Sequence, residues 1–396
     1  MIDLIKTRRY FHQFPEIGFE EIKTTREIIK ILENMNCKFF YGRNIYKDAG
    51  YTDDKDILES DLESGKTGVL AVVGDGPYIF VRADIDGLPV SESKNKEHIP
   101  FKEGFSSSKN MHACGHDGHI TLGIAMVEYF MENNISGKVL FQPAEEGVLG
   151  AISMDLDFIL SDCKSAIGFH IGLGQEKGTI GVGSTNFMAS VKMDVEFSGR
   201  SAHACNSPQI GASAFNMAIA FNALATELQN DSRGRKVFNV GQIHGGEADN
   251  IVMKNCTLGI DMRATQSYLL DEMIKNVERI AISVASARDG SFKMKLKGRA
   301  ESYIEDDFKL VNEISDDLNK NNINTTKLPD FGASEDVTTY LNYVKAHGGK
   351  GIHLLLGADL KGPHHSDCFD FDDKELEFYL KALKIVAGKM LTENWF

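Results

Sequence analysis

Three histidines, a cysteine and an aspartate fall within the nine residues 111–119, MHACGHDGH. The chain has 396 residues with only 12 His and 6 Cys, so a quarter of its imidazoles lie in one short stretch. Imidazole nitrogen, thiolate sulfur and carboxylate oxygen are the common protein ligands of zinc and related divalent ions. Four other clusters carry the same donor types: Asp84 and Asp86 in RADIDGLP, Glu145 and Glu146 in QPAEEG, His170 in GFHIG, and His364 and His365 in GPHHSD. These are more donors than one ion takes, which points to a two-metal site able to activate a water and polarise a carbonyl. A carboxylate beside the metals but not bound to them must then take the water's proton. An adjacent glutamate pair suits that task. On near-extended backbone successive side chains diverge, so one can ligate while the other faces substrate. The chemistry implied is metal-assisted hydrolysis.

Each cluster alone has a bland reading. A glutamate pair is usually a solvated face, an aspartate after a strand often caps the next helix, and CGH can be a buried thiol beside a capping histidine. His12, His98, His347 and His353 read as structural or exposed, with His353 inside an apolar strand. Position in the fold decides between the readings. Apolar runs at 69–73 and 78–81 flank Gly-Asp-Gly-Pro and suggest a hairpin or adjacent strands. Residues 138–142, 165–169 and 351–357 read as buried strands; 20–35 and 120–132 read as helices, the second one buried. Strands alternating with helices imply an α/β domain with a mostly parallel central sheet flanked by helices. The aspartates, the glutamates and His170 follow strands, His364 and His365 follow the strand at 352–356, and HACGHDGH precedes a helix. In an open α/β sheet ligands bind beyond the carboxyl ends of the strands, so all five clusters would meet at one edge.

From about residue 188 the texture changes to β-α-β-β-α-β, the ferredoxin-like order of a four-stranded sheet with two helices on one face. The expected organisation is a catalytic, metal-binding domain over 1–187 and 300–396, with a lid and dimerisation domain inserted at 188–299. An exposed strand edge and a helix pair are natural pairing surfaces, which predicts at least a dimer.

The formal net charge of −14 argues against nucleic acid or an anionic membrane as partner. No run reaches the roughly 18 apolar residues of a membrane span, and the N-terminal stretch lacks a signal-peptide core. The cysteines at 37, 114, 163, 205, 256 and 368 include no C-x-x-C pair and read as reduced thiols of a cytoplasmic protein. Cys37, Cys163 and Cys256 read as small apolar fillers.

MHACGHDGH, FQPAEEG, GFHIG, GRSAHA and HHSDCFDFD, in this order, resemble the aminoacylase and glutamate-carboxypeptidase superfamily of two-metal amidohydrolases, in its branch acting on N-acyl and indole-acetyl amino acids. The resemblance spans nearly the whole chain. A finer likeness to one hydrolase chain within that branch rests on YGRNIYKDAGYTDD (41–54), SYIEDD (302–307) and the segment 332–365. The resemblance implies Cys114, His116, Glu146, His170 and His365 as metal ligands, with the Cys114 thiolate bridging two ions. It implies Glu145 as general base and later acid, and His203 as the group that steadies the oxyanion in a partner's site. Asn250 and Arg263 would contact substrate. The wider superfamily has His-x-Asp where this chain has Asp84-Ile85-Asp86, so Asp84 and Asp86 are expected to orient histidines rather than to ligate. Asp117 and His119 are expected to cap or support the helix, and His112 is left open. The implied cofactors are two divalent ions, manganese or zinc first and cobalt or nickel as alternatives. The implied substrate is a small N-acyl amino acid, and the implied assembly a homodimer or a heterodimer with a related subunit. Rival readings are an N-acetyl amino acid deacetylase, a hippurate hydrolase or a dipeptidase of the same fold, or a non-catalytic metal-binding component of a hetero-oligomer. Such a binding module, however, has no use for a base that is not a ligand.

Overall fold

The computed structural model describes residues 2–229 and 231–392. They divide into two compact units, one comprising residues up to 185 with 304–331 and 336 onward, the other 186–303 with 332–335.

The larger unit is built on an eight-stranded sheet. Its strands are β1 (Lys38–Tyr41), β2 (Val69–Val73), β3 (Tyr78–Asp84), β4 (Gly137–Gln142), β5 (Cys163–Ile171), β6 (Thr179–Val182), β11 (Asn324–Lys327) and β12 (Lys350–Leu356). The spatial order is β1-β2-β4-β3-β5-β12-β6-β11. The centre, β4-β3-β5-β12, is parallel throughout; antiparallel pairs occur only outside it. These central strands are near-continuous apolar runs because both faces are covered. Alternate residues Ile79, Val81 and Ala83 of β3 join the core that includes Ile120, Ile124 and Val127 of the helix His116–Glu132. Phe80 points the other way, onto Tyr340 of the helix Val337–Ala346, at 5.3 Å between ring centroids. Period-2 alternation thus seats helices on both faces.

The hairpin expected at Gly-Asp-Gly-Pro does not form. Both flanking strands exist, but β4 lies between them, antiparallel to β2 and parallel to β3. The fully buried run Gly137–Gln142 hides more apolar surface in that central slot than at an edge. The short strands β1, β6 and β11 have no counterpart in the sequence reading, being four residues each and too short for a periodic signal.

The smaller unit holds β7 (Ala189–Ser198), β8 (Lys236–Gly245), β9 (Asn255–Ala264) and β10 (Ser291–Ala300), with helices Ala214–Ala225 and Ser267–Ser286 between them. The order β10-β7-β9-β8 is antiparallel throughout, the ferredoxin-like arrangement. Val191, Met193, Val195 and Phe197 alternate inward from β7 and pack with Phe221, Leu270 and Val277 of the two helices. Among the described residues no helix is long and apolar enough to cross a membrane.

Candidate metal centre

Cys114, His116, Glu145, Glu146, His170 and His365 converge in the larger unit. Cys114 and His116 flank Gly115, which starts the helix His116–Glu132 at φ +88, a conformation open to glycine at little cost. Glu145 and Glu146 follow β4, and His170 lies near the end of β5. His365 has φ +65, and its N–H donates to the Ala113 carbonyl at 2.8 Å, tying its loop to the MHACGHDGH segment.

Donor atoms of Cys114, His116 and His170 all lie within 4.8 Å of one another, as do those of Cys114, Glu146 and His365. The two sets share the Cys114 sulfur, which sits 3.5 Å from His170 Nε2. The His116 Nε2 is buried with no hydrogen-bond partner, 3.9 Å from Glu145 Oε2 and 4.0 Å from Glu146 Oε1.

The second ring nitrogens set the tautomers. His116 Nδ1 donates to the Asp86 carbonyl at 2.9 Å and His170 Nδ1 to the Ile171 carbonyl at 2.9 Å, which leaves each Nε2 as a lone-pair donor. His119 is the reverse case. Its Nε2 accepts from the Ile171 N–H at 3.1 Å, so Nδ1 carries the proton, given to Asp84 Oδ1 at 2.6 Å. With both nitrogens engaged, His119 links β5 to the helix. Asp84 is held in turn by Arg82 Nη1 at 2.5 Å. Asp86 Oδ2 accepts from the Glu146 N–H at 3.0 Å, so both aspartates brace neighbouring groups.

Charge balance agrees with this geometry. Burial would raise the Asp84 carboxyl, but His116, His119 and Arg82 outweigh it and hold it well below the usual range. Burial would lower His116, yet Asp84, Asp86 and Glu146 raise it to about 10. Burial, with Asp86 and Asp84 adding to it, pushes Glu146 up to about 7 against the pull of His116. Burial, helped by His119 and His364, keeps His170 neutral. A carboxyl raised by like charges, a neutral imidazole and a bare Nε2 around one thiol fit divalent cations.

His203, Asn250 and Arg263 lie on the smaller unit. His203 Nδ1 accepts from the Cys205 and Asn206 N–H groups, each at 3.2 Å, which places the ring proton on Nε2. The Asn250 carbonyl accepts from the Ala204 N–H at 3.0 Å, so these two residues are neighbours. Arg263 Nε donates to Asp261 Oδ2 at 3.1 Å on β9.

Several buried groups had no role in the sequence reading. Asp117 accepts from Arg8 Nε and from His12, each at 2.8 Å. His12 and His98 both bond Glu92 Oε1, at 2.9 and 2.8 Å. Arg8 also bonds Asp370 at 2.7 Å and lies over the Phe371 ring. Arg82 also bonds Gln142 and Asp336, at 2.9 and 2.7 Å. An arginine inside the apolar run YIFVRAD was the available signal for Arg82; nothing local marks Glu92 or His12. His112 is buried, with neither ring nitrogen hydrogen-bonded. His353 is buried edge-on to Phe331. All six cysteines are free thiols, and burial raises those of Cys37, Cys163 and Cys256.

The family model for peptidase family M20/M25/M40 matches residues 80–388. The chain is 34% identical to a p-aminobenzoyl-glutamate hydrolase homolog of Haemophilus influenzae, named for one chain of a multi-subunit enzyme, over 98% of each chain. It is 27% identical to indole-3-acetyl-aspartic acid hydrolase of Enterobacter agglomerans, over 97% of this chain and 95% of that one. A solved structure of the Bacillus subtilis YXEP protein, described as a dinuclear metal-binding peptidase of the M20 family, aligns with TM-score 0.69 at 22% identity, over 98% and 97% of the two chains. The chain belongs to peptidase family M20/M25/M40. Within it, the chain is a metal-dependent amidohydrolase.

The buried network makes a pH prediction. Burial would lower His12, but Asp117 and Glu92 raise it from 6.5 to about 9. A raised histidine contributes stability fully below its unfolded value and loses it as pH climbs through the folded one. The stability difference between wild type and His12→Asn should therefore narrow from pH 6.5 to above 9, by on the order of 3 kcal/mol. Urea unfolding at stepped pH checks this; a constant difference across that window contradicts it.

Proposed function

We propose that the chain hydrolyses the amide bond of N-acyl amino acids, with Glu145 as its general base. The observation that carries this reading is the pair of donor sets sharing Cys114, with the buried carboxyl of Glu145 alongside. Cys114, His116 and His170 would hold one ion, and Cys114, Glu146 and His365 the other. Manganese or zinc suits these donors, and cobalt or nickel is the alternative. Divalent ions bound there supply Lewis acidity, polarising the amide carbonyl and acidifying the attacking water.

The remaining work falls to side chains. Glu145 takes the proton of the attacking water, holds it on a carboxylate oxygen, and delivers it to the leaving amine nitrogen. His203 gives its Nε2–H to the developing oxyanion, acting in a partner's site. Arg263 and Asn250 receive the substrate carboxylate. The products are a carboxylic acid and a free amino acid. The name of the Haemophilus relative makes p-aminobenzoyl-glutamate the first substrate to try, and its designation as one subunit of an enzyme supports a heterodimer with a related chain as well as a homodimer. Six free thiols fit a reducing, cytoplasmic setting. Residues 188–299 would act as the lid and dimerisation domain, and 1–187 with 300–396 as the catalytic domain.

Glu145→Gln should bind two ions as the wild type does and lose about 10²–10⁴-fold in kcat. Near-normal turnover by that variant rules out the base assignment. After reconstitution with manganese or zinc, p-aminobenzoyl-glutamate should be cleaved faster than N-acetyl or N-benzoyl amino acids. The reverse preference favours a deacetylase or hippurate hydrolase. No turnover of any amide, alone or with a related second chain, favours the non-catalytic reading.

A further inference from the structure

We propose that Glu21 is a positioning residue for Glu145, its carboxylate holding the backbone of the turn that presents the base. The proposal rests on the reading of Glu145 as base. Glu21 immediately precedes the helix Ile22–Asn34, where an acidic side chain would ordinarily cap the first turn, yet it makes no such bond. The side chain is instead fully buried and turned to the far side. Its Oε1 accepts from the Ala144 N–H at 2.8 Å, and its Oε2 accepts from the Thr67 hydroxyl at 2.6 Å.

The turn it grips is strained. Ala144 and Val148 hold φ of +54 and +49, left-handed values that cost roughly 1–3 kcal/mol each for residues other than glycine. Within the turn, the Leu149 and Gly150 N–H groups return to the Ala144 carbonyl, at 3.2 and 3.1 Å, and Val148 N–H to the Glu145 carbonyl at 2.6 Å. The N–H groups of Ala144 and Glu146 face outward and are taken by two carboxylates from elsewhere, Glu21 and Asp86. Glu145 lies between these clamps. The backbone of Gly18 presses on the same turn: a Cβ there would come within 2.9 Å of the Ala144 Cβ. A carboxylate is an expensive group to bury, and burial together with Asp86 pushes Glu21 up to about 8. A structural cap alone would be met more cheaply by a hydroxyl or an amide.

Glu21→Gln and Glu21→Leu separate the possibilities, with Glu145→Gln as reference. Glutamine can accept from Ala144 N–H and donate to Thr67 Oγ1, so Glu21→Gln should stay within about threefold of wild-type kcat. Leucine offers no acceptor. Glu21→Leu should lose about 10–100-fold in kcat, with KM and the affinity for two manganese ions within about twofold of wild type. In the metal-free protein, amide hydrogen exchange over residues 143–150 should speed up in Glu21→Leu and not in Glu21→Gln. If Glu21→Leu does not fold, Thr67→Val should show the same kcat-only loss at about 3–10-fold. Wild-type kcat and exchange in a folded Glu21→Leu overturn the proposal, as do a Glu21→Gln loss equal to the leucine one or a proportional loss of metal affinity. Glu145→Gln distinguishes the two levels. If that variant is inactive while Glu21→Leu is normal, only the positioning role fails; if it is active, the base assignment fails and the positioning role with it.

Discussion

Like-charge repulsion at one edge of a sheet is the constraint on which the rest of this structure depends. Glu21, Asp84, Asp86, Glu145 and Asp336 are buried, and Glu146 is largely so, all in a region where water cannot screen them. Arg82 offsets part of this through Asp84 and Asp336. The rest must be met by imidazolium or by bound cations, and a raised Glu146 beside a raised His116 is the mark of that unfinished balance. Divalent ions would convert the most costly cluster in the protein into its working centre.

Holding such a cluster together takes groups that never touch substrate. Backbone carbonyls of Asp86 and Ile171 fix the tautomers of His116 and His170, and Asp84 fixes that of His119. Behind them, Arg8 and His12 of the helix Leu4–His12 grip Asp117, the residue after His116, while Arg8 reaches Asp370 near the other end of the chain. The metal loop is thus anchored by segments more than 350 residues apart. Hydrogen bonds to ionised groups are about twice as strong as neutral ones, and a network of them resists the reorganisation that loosens a ligand set.

Much of this was readable from residue types and order. The parallel sheet followed from apolar runs in β3, β4, β5 and β12, and the convergence of five donor clusters followed from their places after strands or before a helix. The β-α-β-β-α-β order of the smaller unit was equally plain. What escaped were features set by distant contact. Nothing local says that β4 slides between β2 and β3, because pairing order is decided by total burial rather than by adjacency in sequence. Glu21 looks like a helix-start residue and is in fact a ligand for a turn 123 residues on. His12 looks like a solitary surface histidine and is wholly buried between two carboxylates. Such roles depend on what the fold brings opposite a side chain, which spacing in one sequence does not encode.

The central claim is that the Cys114 thiolate serves both ions of the site. Titrating the metal-free protein with cobalt(II) while recording the sulfur-to-cobalt charge-transfer absorption tests it directly. The account predicts that the band grows through both the first and the second equivalent and is absent in Cys114→Ser. A band that saturates after one equivalent, or that survives in Cys114→Ser, would contradict it.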